Sequence, residues 1–312
     1  MKRTTLFIIG VSAYFVCYAQ TISINAQVVD EKLPEEAAQN LETKLQSALT
    51  INGCADNGYT ERFVLTAKVD ITQKDITPTT PTRISEKMDI TLMVGDVVEN
   101  KLYASVTLQA AGIGTNENKA FISAFRSIKG DNPKIQQMLN EAKEKIMDYY
   151  TNQCPTIIHK AQGLVTTQSY DEAIFLLTSV PDICRDCFMQ CQQQAGAVYQ
   201  QKIDSESTVL LEMARNAWAK SQNAQGSSEV ADIISQINPK FTNYAEVSAL
   251  RLAVEQKLQA DAKRDWHFKM KQYEDNEKYK QSIVDAYKSV AVAYAKSRPA
   301  TIYRTIIRSW WY

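Results

Sequence analysis

The side chains best able to do chemistry in this 312-residue chain are cysteines, and four of the six lie between positions 154 and 191. Cys184-Arg185-Asp186-Cys187 is followed by Cys191, with Cys154 upstream. Three chemistries fit this spacing. A zinc site would need a fourth donor, from Cys154 or His159. A redox C-x-x-C at a helix N-terminus would carry a thiol of lowered pKa, but the usual strand-to-helix context is missing. Structural disulfides need only proximity. An antiparallel helical hairpin returns the end of its second helix to the start of its first, which brings Cys154 near the cluster. A bridge from Cys154 would close a loop of about 30 to 40 residues and contribute roughly 3–4 kcal/mol. Disulfides are the expectation, with Cys154, Cys184, Cys187 and Cys191 as candidates. Cys54, isolated in Asn52-Gly53-Cys54-Ala55-Asp56, is expected to be the unpaired thiol.

Other catalytic signatures are missing. The two histidines, His159 and His267, lie in separate regions, and no H-E-x-x-H, G-x-S-x-G or Walker loop occurs. The Gly112-x-Gly114 pair lacks a third glycine and follows strands, so it reads as a tight strand-to-helix turn capped by Thr115 or Asn116. No catalytic, cofactor-binding or metal residue is assigned, and no cofactor is expected. The chain closes on Arg308-Ser309-Trp310-Trp311-Tyr312. Chain ends are usually polar and frayed. Arg308, Trp310, Trp311 and Tyr312 are therefore candidates either for docking on a partner, where Trp, Tyr and Arg serve as anchors, or for folding back on their own chain.

The elements that must position these residues come after a leader. Lys2 and Arg3 precede an apolar run from Thr5 to Val16, and Cys17-Tyr18-Ala19 places small residues before Gln20. Residues 1–19 read as a cleaved signal peptide, and hence a periplasmic or secreted protein in an oxidising compartment. Cys17 is a poor lipidation acceptor, because Tyr14 and Val16 stand where a lipobox wants Leu-like and small residues. No later stretch reaches the roughly 18 apolar residues of a membrane span. Lys plus Arg and Asp plus Glu each number 35. Loss of Lys2 and Arg3 leaves a slightly acidic chain, so neither nucleic acid nor an anionic membrane surface is an expected partner.

Residues 20–151 read as an α+β domain. Residues 21–30 suit a strand, and Pro34 opens a helix with Ala38, Leu41, Leu45, Ala48 and Leu49 on one face. Strands come next on alternating Phe63 to Ile71, Met88 to Val94 and Leu102 to Ala110, favouring antiparallel pairing. Gly95-Asp96 and Glu99-Asn100 mark a hairpin connection, and Thr77 to Pro81 a longer loop. Helices then present Ala120, Phe121, Ala124, Phe125 and Ile128, and Ile135, Met138, Leu139, Ala142 and Ile146. This β-α-β-β-β-α(α) order, with a strand ending in G-x-G before a helix carrying Ala120 and Ala124, resembles the small domain of bacterial envelope proteins of the curli-secretion, flagellar-accessory and LPP20-type families. The resemblance implies envelope assembly or accessory work and carries no catalytic residue. Asn116 and Asn118 depart from the Ser-Arg pair usual there.

Residues 152–298 read as all-helical, and 299–312 as an aromatic tail. Tyr170-Asp171-Glu172-Ala173-Ile174, then Leu177 and Pro181, resembles the second half of a tetratricopeptide repeat. A shift of 58 residues superposes Ala161 on Ala219, Ala173 on Ala231, Pro181 on Pro239 and Ala195 on Ala253. Asp261 to Ser297 reads as one long capping helix with a Tyr279, Ile283, Tyr287, Val290, Tyr294 stripe. The expected fold class is thus an α+β domain, an antiparallel meander covered by helices, followed by helical repeats. The expected function is a non-catalytic envelope scaffold or adaptor binding proteins through its helical surface. The alternatives are a structural subunit of a surface, secretion or phage-like assembly, joined to neighbouring copies through a sheet edge and the tail, and a thiol-disulfide protein using Cys184 and Cys187.

Overall fold

The computed structural model describes residues 22–55, 62–276 and 279–311. The leader and Cys17 lie outside the described residues. The chain begins with β1 (Ile24–Ala26), α1 (Glu35–Ile51), β2 (Phe63–Thr77), β3 (Arg83–Asp96) and β4 (Lys101–Gly114). One sheet results, in the order β1-β2-β3-β4. The meander β2-β3-β4 is antiparallel as expected, but β1 runs parallel to β2. A parallel pair needs a crossover, and α1 supplies it. One sheet face carries the rows Leu65–Val94–Ala104, Ala67–Leu92–Val106 and Val69–Ile90–Leu108. These rows face the helices.

β2 outruns the alternation that marks it. Its register with β3 shifts between Ile71 and Gln73, and the hairpin continues to Thr77 opposite Arg83. Residues 71–77 are exposed. With neither face buried, nothing requires apolar residues at every second position there.

α1 buries Ala37 in place of the expected Ala38, together with Leu41, Leu45, Ala48 and Leu49. After β4, Asn116 caps α2 (Glu117–Phe125) by accepting from the Lys119 amide. The two glycines before it serve close approach. A Cβ on Gly112 would lie 2.0 Å from the Ala120 carbonyl oxygen, and one on Gly114 2.4 Å from the Ala120 nitrogen. Only glycine lets α2 press its backbone onto β4.

The 34-residue α3 (Pro133–Thr166) runs unbroken through positions 151 and 152. Its first half covers the sheet, and its second packs on α4 (Tyr170–Thr178) and α5 (Arg185–Lys220). One hydrophobic core therefore runs from the sheet through α1–α3 into α4 and the first half of α5. The second half of α5 belongs to another core, shared with α6 (Ala224–Ile234), α7 (Tyr244–Lys257) and α8 (Ala260–Glu274). The architecture is an α+β unit followed by an all-helical one. The 58-residue register holds at Ala173 and Ala231, buried alike in α4 and α6, and at the prolines just beyond these helices. Ala219 and Ala253 are exposed where Ala161 and Ala195 are buried, so the likeness is confined to the short helices and their exits.

The expected long helix from Asp261 to Ser297 is two helices, α8 and α9 (Ile283–Ser297), the second capped by Ser282 accepting from the Asp285 amide. The tyrosine stripe explains the break, because its members serve different cores. Tyr279 donates to the Ser235 carbonyl beside α6, whereas Tyr287 donates to Gln192 and Tyr294 packs on Phe175 of α4. α9 thus returns to α4 and α5 and does not cap the array. After Pro299 the aromatic tail forms a final helix, α10 (Ala300–Ser309).

At the foot of the sheet, Arg62 and Asp96 are buried together. Arg62 Nε donates to Asp96 Oδ2 at 2.7 Å, and the Tyr150 hydroxyl of α3 donates to the same oxygen at 3.0 Å. The Val98 and Glu99 amides donate to Oδ1 at 2.8 and 3.2 Å. Burial opposes the guanidinium charge, but Asp96, Tyr150 and Glu99 together outweigh it and lift the Arg62 pKa above its ordinary value. Asp96→Ala leaves that buried cation with only the longer Glu99 pair, 3.6 Å away, and is expected to cost about 3–5 kcal/mol. Tyr150→Phe removes one hydrogen bond to a charged group and should cost about 1.5–3 kcal/mol. Urea unfolding of the two variants measures the difference.

Candidate functional site

The sulfur cluster lies where α3 passes α5. Cys154 is on the second half of α3; Cys187 and Cys191 sit one turn apart on α5, and Cys184 occupies its N-cap position. Cys154 and Cys187 form a disulfide, with Cα atoms 5.6 Å apart and a sequence separation of 33. Closing that loop contributes about 3–4 kcal/mol in the chain-entropy account. Cys54, Cys184 and Cys191 are free thiols. Cys54 matches its expected isolation. Cys184 and Cys191 were also disulfide candidates, and neither is bridged. The Cys184 sulfur instead lies 3.9 Å from the Met147 carbonyl oxygen of α3.

The Cys154, Cys187 and Cys191 sulfurs all lie within 4.8 Å of one another. Two of the three are bonded together, so coordination by the full set would require opening the bridge. His159, the other donor weighed for zinc, is exposed and is not in this group. The C-x-x-C reading fares no better, because Cys187 is bonded to Cys154 and not to Cys184. Burial raises the Cys184 thiol to about 11, helped by Asp182, and burial alone raises Cys191 to about 11. Attack requires a thiolate. At pH 8 such thiols are ionised to roughly one part in a thousand. The arrangement cross-links α3 to α5 and packs sulfur as a small apolar group.

The C-terminal candidates lie on the opposite face of the sheet. Ile307 is buried against Val29, Val64 and Val97, with Tyr303, Ile306, Trp310 and Trp311 packed around them. Trp310 Nε1 donates to Asn100 Oδ1 at 3.0 Å, and Arg308 pairs with Glu31. A Cβ on Gly95 would meet the Trp310 ring at 2.6 Å, so this glycine of β3 is the floor on which the indole rests. Arg308, Trp310 and Trp311 are engaged within their own chain. Tyr312 lies outside the described residues.

Sequence reasoning missed a surface on the helical unit. Buried Trp266 of α8 separates two shallow grooves. One, of about 240 Å³, is lined by Ala231, Phe268 and Lys269; the other, of about 270 Å³, by Arg251, Leu252 and Met270. Phe268 is 65% exposed and Leu252 60%. Trp266-His267-Phe268 was the signal to read, since a helix cannot bury residues at i and i+2 on one face.

No protein-family model matches the chain, and no curated protein does. A solved structure of a minor lipoprotein from Acinetobacter baumannii is a weak structural neighbour, 21% identical over 40% of this chain and 94% of that one, with a TM-score of 0.25. A likeness of that size carries no conclusion.

Two outcomes are expected. In the folded protein Cys54, Cys184 and Cys191 should resist iodoacetamide at pH 8 and react once unfolded, as read by mass spectrometry. The folded state holds the Cys184 and Cys191 protons more tightly than the unfolded chain. Their contribution to stability is therefore present below about pH 8.5 and is lost as pH rises towards about 11. For the tail, Ile307→Ala should cost about 2–4 kcal/mol. Arg308→Ala should change stability by less than about 1 kcal/mol, since its ion pair is open to water.

Proposed function

We propose that this chain is a secreted, non-catalytic scaffold or adaptor of the cell envelope that binds other proteins through its helical unit. The observation that carries the reading is the pair of grooves beside Trp266, each bordered by a large apolar side chain left in water. Scattered exposed apolar residues are ordinary. Phe268 and Leu252 differ in bordering concave sites with a buried aromatic base, a form suited to side-chain anchors of a protein partner. The α4–α5 and α6–α7 segments, each a short helix leading into another, support a tetratricopeptide-like use of that surface. The leader-like residues 1–19 support periplasmic or secreted placement without lipidation at Cys17. Among the described residues no helix is long and apolar enough to cross a membrane.

A second reading, a structural subunit of a larger assembly, is favoured by the open strand β4. A thiol-disulfide role for Cys184 and Cys187 lacks the pairing it would use.

Phe268→Asp and Leu252→Asp test the adaptor reading. Tagged full-length protein, cross-linked in its native envelope, is expected to capture a defined partner that both variants lose while circular dichroism and unfolding midpoint stay unchanged. Equal capture by the folded variants would remove the helical grooves from the account.

A further inference from the structure

The two edges of the sheet are treated differently. β1 is three residues long and is screened by its own chain: the Ile24 amide donates to the Cys54 carbonyl at 2.9 Å, and Ile24 bridges Ala55 in parallel. β4 at the other edge is 14 residues long. From Ser105 to Gly114 it pairs with β3 in unbroken register, Met93 opposite Ser105 through Ile84 opposite Gly114, so no bulge bends it away. Among the described residues no backbone group of this run bonds to anything beyond β3.

Folded proteins blunt such edges with lysine, proline, bulges or a covering element. Leu102 to Gly114 contains no charged residue and no proline. On the face away from the helices, Ser105, Thr107, Gln109, Ala111 and Ile113 are exposed. We propose that β4 is an intermolecular pairing edge and that its occupant is β4 of a second copy, antiparallel about a two-fold axis.

Neutrality selects that occupant. In a two-fold antiparallel pair the residues at the axis meet their own counterparts and those at one end of the run meet the other end, so a charge near the middle of the run would be set against itself. Like charges directly opposite are destabilising, and this run has none. The only nearby charge on the strand, Lys101, is at its far end. Pairing of ten residues would add about ten main-chain hydrogen bonds and extend the sheet from four strands to eight. This inference is independent of the helical-groove reading, since it involves none of the same residues.

Gln109→Lys is the test. Gln109 lies opposite Asp89 within the chain, so a lysine there is accommodated by its own protomer and duplicated across the axis. Sedimentation equilibrium of the full secreted chain should show a dimer, with a dissociation constant weakened roughly tenfold or more in the variant. Hydrogen exchange read by mass spectrometry should show protection of residues 105–114 that rises with concentration in the wild type and not in Gln109→Lys. A monomer at every soluble concentration would overturn the proposal. So would a dimer that tolerates Gln109→Lys with β4 amides unprotected, or protection gained only on adding a different protein.

Discussion

The Asp96 carboxylate, fully buried at the foot of the sheet, accepts from Arg62 of the chain entering β2, from Tyr150 of α3 and from the amides of the turn after β3. An ion pair so placed adds little to net stability, because both charges give up hydration. Its effect is on geometry. Buried charge tolerates few arrangements, so the start of β2, the β3–β4 turn and the middle of α3 are held in one relation. Tyr150 also lies under the Arg62 guanidinium and edge-on to Phe63, which joins this polar knot to the apolar core around it.

The helical unit takes its position from the direction in which α3 leaves the sheet. One turn beyond Tyr150 stands Cys154, and its bond to Cys187 fixes α5 beside α3. α5 is 36 residues long and reaches from the first core into the second, so a single covalent tie near its start sets where the grooves at α6 and α8 lie. The apolar surroundings that make the cysteines useful for this also leave them inert, since desolvation keeps Cys184 and Cys191 as thiols. Reactive and structural roles for one motif are separated by burial.

The closing helices complete the tie from the other side. α9 lies on α4 and α5, and α10 crosses to the outer face of the sheet, covering the apolar patch of Val29, Val64 and Val97 on a face otherwise lined by Thr91, Thr107, Asp70 and Gln109. Gly95 is what lets Trp310 reach that patch. With that patch covered by the chain itself, the β4 edge is left unpaired among the described residues.

Much of this was legible in residue order. Period-two alternation marked β2, β3 and β4, and spacing marked the buried faces of α1, α2 and the first half of α3, because one-sided burial leaves a periodic trace. Four cysteines near one hairpin pointed to a bridge from Cys154. Features that depend on distant partners left no such trace. The parallel seat of β1 comes from how α1 crosses, the break between α8 and α9 from two cores competing for one tyrosine stripe, and the choice of Cys187 over Cys184 from the rotation of α5 against α3. The aromatic end announced a docking segment, but only the packed chain supplied its site, since that required Gly95, Asn100 and three valines brought together from three parts of the sequence. Local patterning determines which face of an element is buried; what buries it is decided by chain crossings and shared cores, which no local window contains.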